Sequence, residues 1–189
     1  LCARRGRGPL RLGGRARPGR ASGLGPGDAG SECGLNEWLD AYGGRLSVDT
    51  RLFDGMAETL SWLENQGLPW GVITNKPERF TRPVLAGLGL LDRCASVICP
   101  DQVRERKPDP EGLLMAAGAV GANPTHCVYV GDHLRDIQAG LNAKMITVTP
   151  GFGYIDADDD PRGWQANYYL EQGSELLPLL QKLYEQKAH

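Results

Sequence analysis

Residues 128–140, VYVGDHLRDIQAG, place Asp132 and Asp136 four residues apart, directly after a strand-forming run. Carboxylates one helical turn apart face the same way, and they repel unless a cation or a proton lies between them. Oxygen donors of this kind suit Mg2+, which uses one or two carboxylates with water and substrate phosphate. The plainer alternative is an N-cap aspartate followed by an exposed helix aspartate, with His133 between them a surface residue rather than a ligand. Two other polar positions also follow apolar runs. After WGVI come Thr74 and Asn75: a threonine hydroxyl and nearby backbone N–H groups can hold a phosphate oxygen at a helix N-terminus, or simply cap that helix. In RERKPDP, Lys107 precedes Pro108, which biases it to an extended conformation. A lysine there can offer a point charge to a phosphoryl group. Lys76-Pro77 has the same local pattern and competes with it.

Positioning these side chains requires a scaffold, and the apolar pattern supplies one. GMAETLSWLENQG reads as an amphipathic helix through Met56, Leu60 and Leu63, stopped at Gly67. WGVITN is a short apolar run typical of a strand buried on both faces. A helix is expected from Pro77, interrupted in its middle by Pro83. ASVICP is the next strand, and DPEGLLMAAGAV a helix capped by Asp109 with Pro110 at its first position. CVYVG, MITVTP and ANYYL read as further strands, LRDIQAGLNA as a helix, and Leu176, Leu177, Leu180 and Leu183 mark a closing helix. LNEWLDAY (residues 35–42) also has helical apolar spacing. This alternation predicts an α/β fold, a Rossmann-like parallel sheet with helices on both faces. Ligands of such sheets bind beyond the carboxyl ends of the strands, where Thr74, Lys107 and Asp132 all fall. The acidic run Asp158-Asp159-Asp160 reads as a solvated loop, and PGFGY (residues 150–154) as a turn rather than a phosphate cradle.

The bulk composition excludes several classes. At 189 residues the chain fits one domain with or without a small insert. A net charge of −2 argues against a generally nucleic-acid-binding surface. Five scattered cysteines without a CxxC pair suggest neither disulfides nor zinc, and three histidines exclude a histidine-rich metal site. No apolar run is long enough to span a bilayer and no secretory leader is visible, so a soluble cytoplasmic protein is expected. Residues 1–30 stand apart: Arg4, Arg5, Arg7, Arg11, Arg15, Arg17 and Arg20 face a single acid, Asp28, with no Ile, Val, Phe or Tyr. Such a stretch cannot bury enough apolar surface to offset its ordering entropy. A disordered extension, an out-of-frame translation of GC-rich coding sequence, and a basic arm or transit peptide are the open readings.

In combination and order, VITNKP, RKPDP and YVGDHLRDI resemble motifs two, three and four of the haloacid dehalogenase-like phosphatases. The likeness runs over roughly residues 38–183. Within that superfamily the chain looks like the phosphoglycolate phosphatase branch, and RLFDGM, TNKPERF and GYIDADDDPRGWQAN look most like bacterial N-acetylmuramic acid 6-phosphate phosphatases. The resemblance implies a Mg2+-dependent phosphatase hydrolysing a small phosphomonoester, N-acetylmuramic acid 6-phosphate or 2-phosphoglycolate, through an aspartyl-phosphate. It implies Thr74 and Asn75 on phosphate, Lys107 neutralising phosphate and nucleophile charge, Asp132 as direct metal ligand, and Asp136 as a ligand directly or through water.

The chain departs from the pattern at motif one, DxDGT, which supplies the nucleophile and the general acid. Asp28, Glu32, Glu37, Asp40 and Asp49 follow no strand and form no DxD, and Asp54 in LFDGM has no partner acid. The expected organisation is therefore a disordered or out-of-frame segment over 1–34, a remnant of a helical cap over 35–52, and a phosphatase core over 53–189. Its central strand and most of the cap would be missing. Such a chain is expected to be inactive as written. The alternative is a non-catalytic phosphate- or metal-binding pseudoenzyme. Neither reading calls for a nucleic-acid or membrane partner.

Overall fold

The computed structural model describes residues 3–5, 50–156 and 158–186. The expected disorder over 1–34 and helix over 35–42 lie outside these, apart from strand β1 (Ala3–Arg5), which pairs antiparallel with β2 (Thr50–Leu52). Neither strand was legible in advance. Thr50–Leu52 is a strand where a helical cap remnant was expected, and Leu52 packs against two of the three core clusters.

The remaining elements follow the anticipated order: α1 (Met56–Asn65), β3 (Gly71–Ile73), α2 (Glu78–Gly87), β4 (Ser96–Ile98), α3 (Glu111–Ala119), β5 (Val128–Val130), α4 (Leu134–Asn142), β6 (Ile146–Pro150), β7 (Tyr168–Leu170) and α5 (Leu176–Glu185). Pro83 sits inside α2 without ending it. The missing N–H removes one ladder bond, while Phe80 and Leu85 stay buried on either side of it. Asp109 caps α3 as expected, its carboxylate accepting from the Glu111 N–H at 2.8 Å.

Helices α1, α2 and α3 stop in one way. Each runs into a glycine with φ between 64 and 66° (Gly67, Gly89, Gly121), and the next N–H reaches back five residues, as Leu68 does to the Leu63 carbonyl at 2.9 Å. This pairing satisfies carbonyls left open at a helix end. Helix α4 closes with the same bonds, Met145 N–H to Gly140 O at 2.9 Å, but places Lys144 in the left-handed position at φ 59°.

Among the described residues the other strands are parallel and fall into two sheets, β3–β4 and β5–β6–β7. Their side chains alternate between two apolar layers. On one face Tyr129 and Ile73 pack with Leu113 and Ala117 of α3 and Ala139 of α4. On the other, Val72 packs with Leu60 of α1 and Leu85 of α2, and Val148 and Leu170 pack with Met56 and Leu176. Among the described residues no helix is long and apolar enough to cross a membrane.

Because a non-glycine residue in the left-handed region costs about 1 kcal/mol or more, Lys144→Gly is expected to raise unfolding stability by about 1 kcal/mol. Urea denaturation, with an unchanged m-value, checks this.

Candidate active site

The carboxyl ends of β3, β4 and β5 converge as parallel strands require. Lys107, on the loop after β4, reaches Asp136 in the first turn of α4 with Nζ 2.6 Å from Oδ1, and both side chains are only 10% exposed. The same ammonium lies 3.1 Å from the Tyr129 hydroxyl and 3.4 Å from the Ile73 carbonyl at the end of β3. Tyr129 in turn points its hydroxyl at Asp136 Oδ1, 3.4 Å away. One buried charge pair thus ties three strand ends together. The Lys107–Pro108 peptide is cis. Lys107 is the lysine whose ion pair with Asp136 the structure shows.

Thr74 and Asn75 line a small crevice with Lys107. The Thr74 N–H donates to the Ile98 carbonyl, and its Oγ1 accepts from the Lys76 N–H at 3.0 Å. A hydroxyl used this way keeps its own proton to donate. Neither Thr74 nor Asn75 caps α2, whose first N–H, on Glu78, is taken by Asp101 Oδ2 at 2.9 Å from the loop after β4.

Asp132 ends the β5 turn. It is not the N-cap of α4; His133 is, its Nδ1 accepting from the Arg135 N–H at 3.2 Å while its ring stacks on Trp164. That leaves the Asp132 carboxylate to the loop after β6, where Oδ2 accepts from the Tyr154 N–H at 3.0 Å. Two glycines make this packing possible. A Cβ on Gly153 would come within 2.5 Å of the Asp132 Cβ, and one on Gly131 within 2.3 Å of the Asp136 Cβ. PGFGY is thus a turn, as read from the sequence, but one that brackets the acid. Beside it Phe53 makes ring contacts with Phe152 and Tyr154.

Sequence reasoning missed Tyr129 and the Tyr154 N–H. Tyr129 was visible as the one polar-tipped residue in an apolar strand; a backbone donor leaves no such mark. Asp54 is exposed, with its carbonyl packed against Gly173 at the start of the C-terminal region. Burial pushes the Cys94 and Cys99 thiols above their ordinary value, which disfavours them as nucleophiles.

Chemically, the arrangement offers a cation and a hydroxyl for an anionic oxygen, and two carboxylate donors that suit a hard divalent ion. Asp136 already has its charge met by Lys107, so Asp132 is the better direct donor. Among the described residues no group of three or more acids, histidines or cysteines is placed to hold a metal ion.

Fold and site together define an α/β protein with its polar residues at parallel strand ends. The haloacid dehalogenase-like hydrolase family model matches residues 22–144, and the chain belongs to that family. It is 41% identical over 170 residues to N-acetylmuramic acid 6-phosphate phosphatase from Pseudomonas putida, covering 90% of this chain and 76% of that protein. It is 44% identical over 148 residues to phosphoglycolate phosphatase from Xanthomonas campestris pv. campestris, covering 78% and 67%. The crystal structure of a predicted phosphoglycolate phosphatase from Haemophilus somnus superposes with a TM-score of 0.71 at 26% identity, over 77% of this chain and 64% of that one. The fold is shared also with β-phosphoglucomutase from Clostridium difficile, at a TM-score of 0.68 and 20% identity. The chain spans about two thirds to three quarters of the length of these relatives.

Removing one partner of a buried ion pair leaves an uncompensated charge, which costs about 3–5 kcal/mol, whereas an apolar pair of similar volume is often neutral. Lys107→Met is expected to destabilise the chain by that amount, and Lys107→Met with Asp136→Leu to recover most of it. Denaturant unfolding of the two variants and the parent completes the comparison.

Proposed function

We propose that this chain carries the phosphate- and metal-holding half of a Mg2+-dependent phosphomonoesterase site, of a lineage acting on N-acetylmuramic acid 6-phosphate or 2-phosphoglycolate. The observation that carries the reading is the convergence of Lys107, Thr74 and the Asp132–Asp136 turn at adjacent strand ends. The names of relatives at 41% and 44% identity support the substrate class. Lys107 would neutralise phosphate charge, Thr74 would donate its hydroxyl proton to a phosphate oxygen, and Asn75 would offer its backbone N–H. Asp132 would hold Mg2+ directly, oriented by the Tyr154 N–H, and Asp136 would act through water while positioning Lys107. Mg2+, when bound, supplies charge stabilisation for the phosphoryl group. A cytoplasmic setting fits the substrate class.

Among the described residues no nucleophile is placed beside this half-site. An aspartyl-phosphate route needs a carboxylate beside Lys107 and the metal donors, and among the described residues no third acid joins Asp132 and Asp136 in a metal-holding cluster. That same observation favours a second reading, a pseudoenzyme that binds phosphate and metal without turnover.

Phosphate release from both esters with Mg2+, paired with calorimetric titration of inorganic phosphate, tests the proposal. The expected result is Mg2+-dependent phosphate binding weakened at least tenfold by Asp132→Asn, with little or no turnover. Binding that ignores Asp132→Asn would sink the site assignment. Robust turnover abolished by Asp54→Asn would make Asp54 the nucleophile and overturn the inactivity.

A further inference from the structure

The crevice shared by Thr74, Asn75 and Lys107 offers about 10 Å³ of space, room for one water-sized group. It can take a phosphate oxygen and little else, so the organic part of an ester bound through it stands outside, against the neighbouring loops. Lys107 leads from the crevice to Asp136, and Asp136 packs against Gly131 beside Asp132. There the neighbouring loop is the turn after β6. Gly153 is pressed against Asp132, where a Cβ would come within 2.5 Å of the Asp132 Cβ, and the Tyr154 N–H donates to Asp132 Oδ2 at 3.0 Å. The Tyr154 ring thus lies within its own side chain's length of the candidate metal donor.

That ring is both exposed and held. At 54% exposure, Tyr154 is the most open of the large apolar or aromatic side chains among the described residues. Its ring centroid lies 5.8 Å from that of Phe53, at a tilt of 56°, and Phe53 meets Phe152 edge-on at 5.3 Å. Phe53 and Phe152 both pack on the core cluster of Met56, Val148, Leu170 and Leu176, so the support under Tyr154 runs back to the interior. Ligand sites combine a few polar groups with aromatic walls of this kind. A tyrosine brings a large, rigid contact surface at low cost in conformational entropy.

We propose that Tyr154 is a specificity-determining residue: its ring packs on the C–H face of a sugar whose phosphate sits at the crevice, and so selects a cyclic sugar phosphate over 2-phosphoglycolate. The inference rests on the phosphate-site reading and deepens it. A pyranose presents several C–H groups on one face, and covering them with an aromatic ring takes apolar surface of both partners out of water. 2-Phosphoglycolate has a single methylene between two anionic groups and gives the ring nothing to cover. Relatives named for the two substrates stand at 41% and 44% identity, so overall likeness does not choose between them. Of the two, only N-acetylmuramic acid 6-phosphate has such a face.

Calorimetric titration of the full chain with Mg2+ tests this, using inorganic phosphate, 2-phosphoglycolate and N-acetylmuramic acid 6-phosphate on the parent, Tyr154→Phe and Tyr154→Ala. Both variants keep the backbone N–H that holds Asp132. The readout is the ratio of affinities, so a weakening common to all three ligands drops out. The parent is expected to bind the sugar phosphate about tenfold more tightly than either other ligand. Tyr154→Phe should keep that ratio, because the ring face makes the contact, and Tyr154→Ala should bring it close to one. Equal binding of the three ligands by the parent would overturn the inference alone. So would a ratio that survives Tyr154→Ala, or one lost as fully in Tyr154→Phe, which would assign the selectivity to the hydroxyl. A parent that binds none of the three would overturn the phosphate-site reading, and this inference with it.

Discussion

The Lys107–Asp136 pair is the interaction on which the rest of the molecule leans. It lies where the loop after β4, the end of β3 and the first turn of α4 come together, and the Ile73 carbonyl and Tyr129 hydroxyl share its ammonium. Among the described residues the sheet is divided between β3–β4 and β5–β7, and no strand pairing carries order across the gap. Packing of α3 on Tyr129 and Ile73 spans it on one face, and the charge pair spans it at the strand ends. Two ions this far from water are expensive to place, so the geometry has to be good, and a tyrosine and a carbonyl complete the coordination of the ammonium.

The two spaces at the strand ends are chemically different. The crevice holding Thr74, Asn75 and Lys107 is small, with Ile73, Ile98 and Val103 lining it as well. The larger cavity beneath is walled by Leu60, Leu113 and Leu176, an environment that would penalise a phosphate dianion heavily. The charged residues that line it, Glu105, Arg106, Lys107 and Asp109, set the crevice apart from the larger cavity. The aromatic contacts of Phe53 with Phe152 and Tyr154 lie at the polar end, where they support the loop that orients Asp132.

Much of this was legible in the sequence because the signals are local. The glycine stop at Gly67, the Asp109 cap and the apolar runs of β3 through β7 each depend on a few neighbouring residues, and polar side chains just past such runs pointed to Thr74, Lys107 and Asp132. What escaped depended on partners distant in sequence. Lys107 read as a phosphate contact, but nothing local showed that Asp136 would hold it. Tyr129 looked like any strand aromatic, because its hydroxyl matters only once Lys107 arrives 22 residues away along the chain. The Tyr154 N–H is backbone, and Thr50–Leu52 is too short and too polar to announce a strand. The left-handed Lys144 was hidden for the opposite reason: the helix end demanded the conformation, and the sequence supplied a residue that tolerates it poorly.

The close approach of Gly131 to Asp136 has a genetic consequence. With a methyl group at position 131 arriving 2.3 Å from the Asp136 Cβ, no codon but glycine's is compatible with the present placement of that aspartate. Drift at the two sites is therefore ordered: because the clash is with a Cβ, which every residue but glycine carries, changing the acid alone does not release position 131, and the first turn of α4 must move first. In any lineage descending from this chain, a larger residue at 131 would be a dated scar, recording that this turn had already shifted.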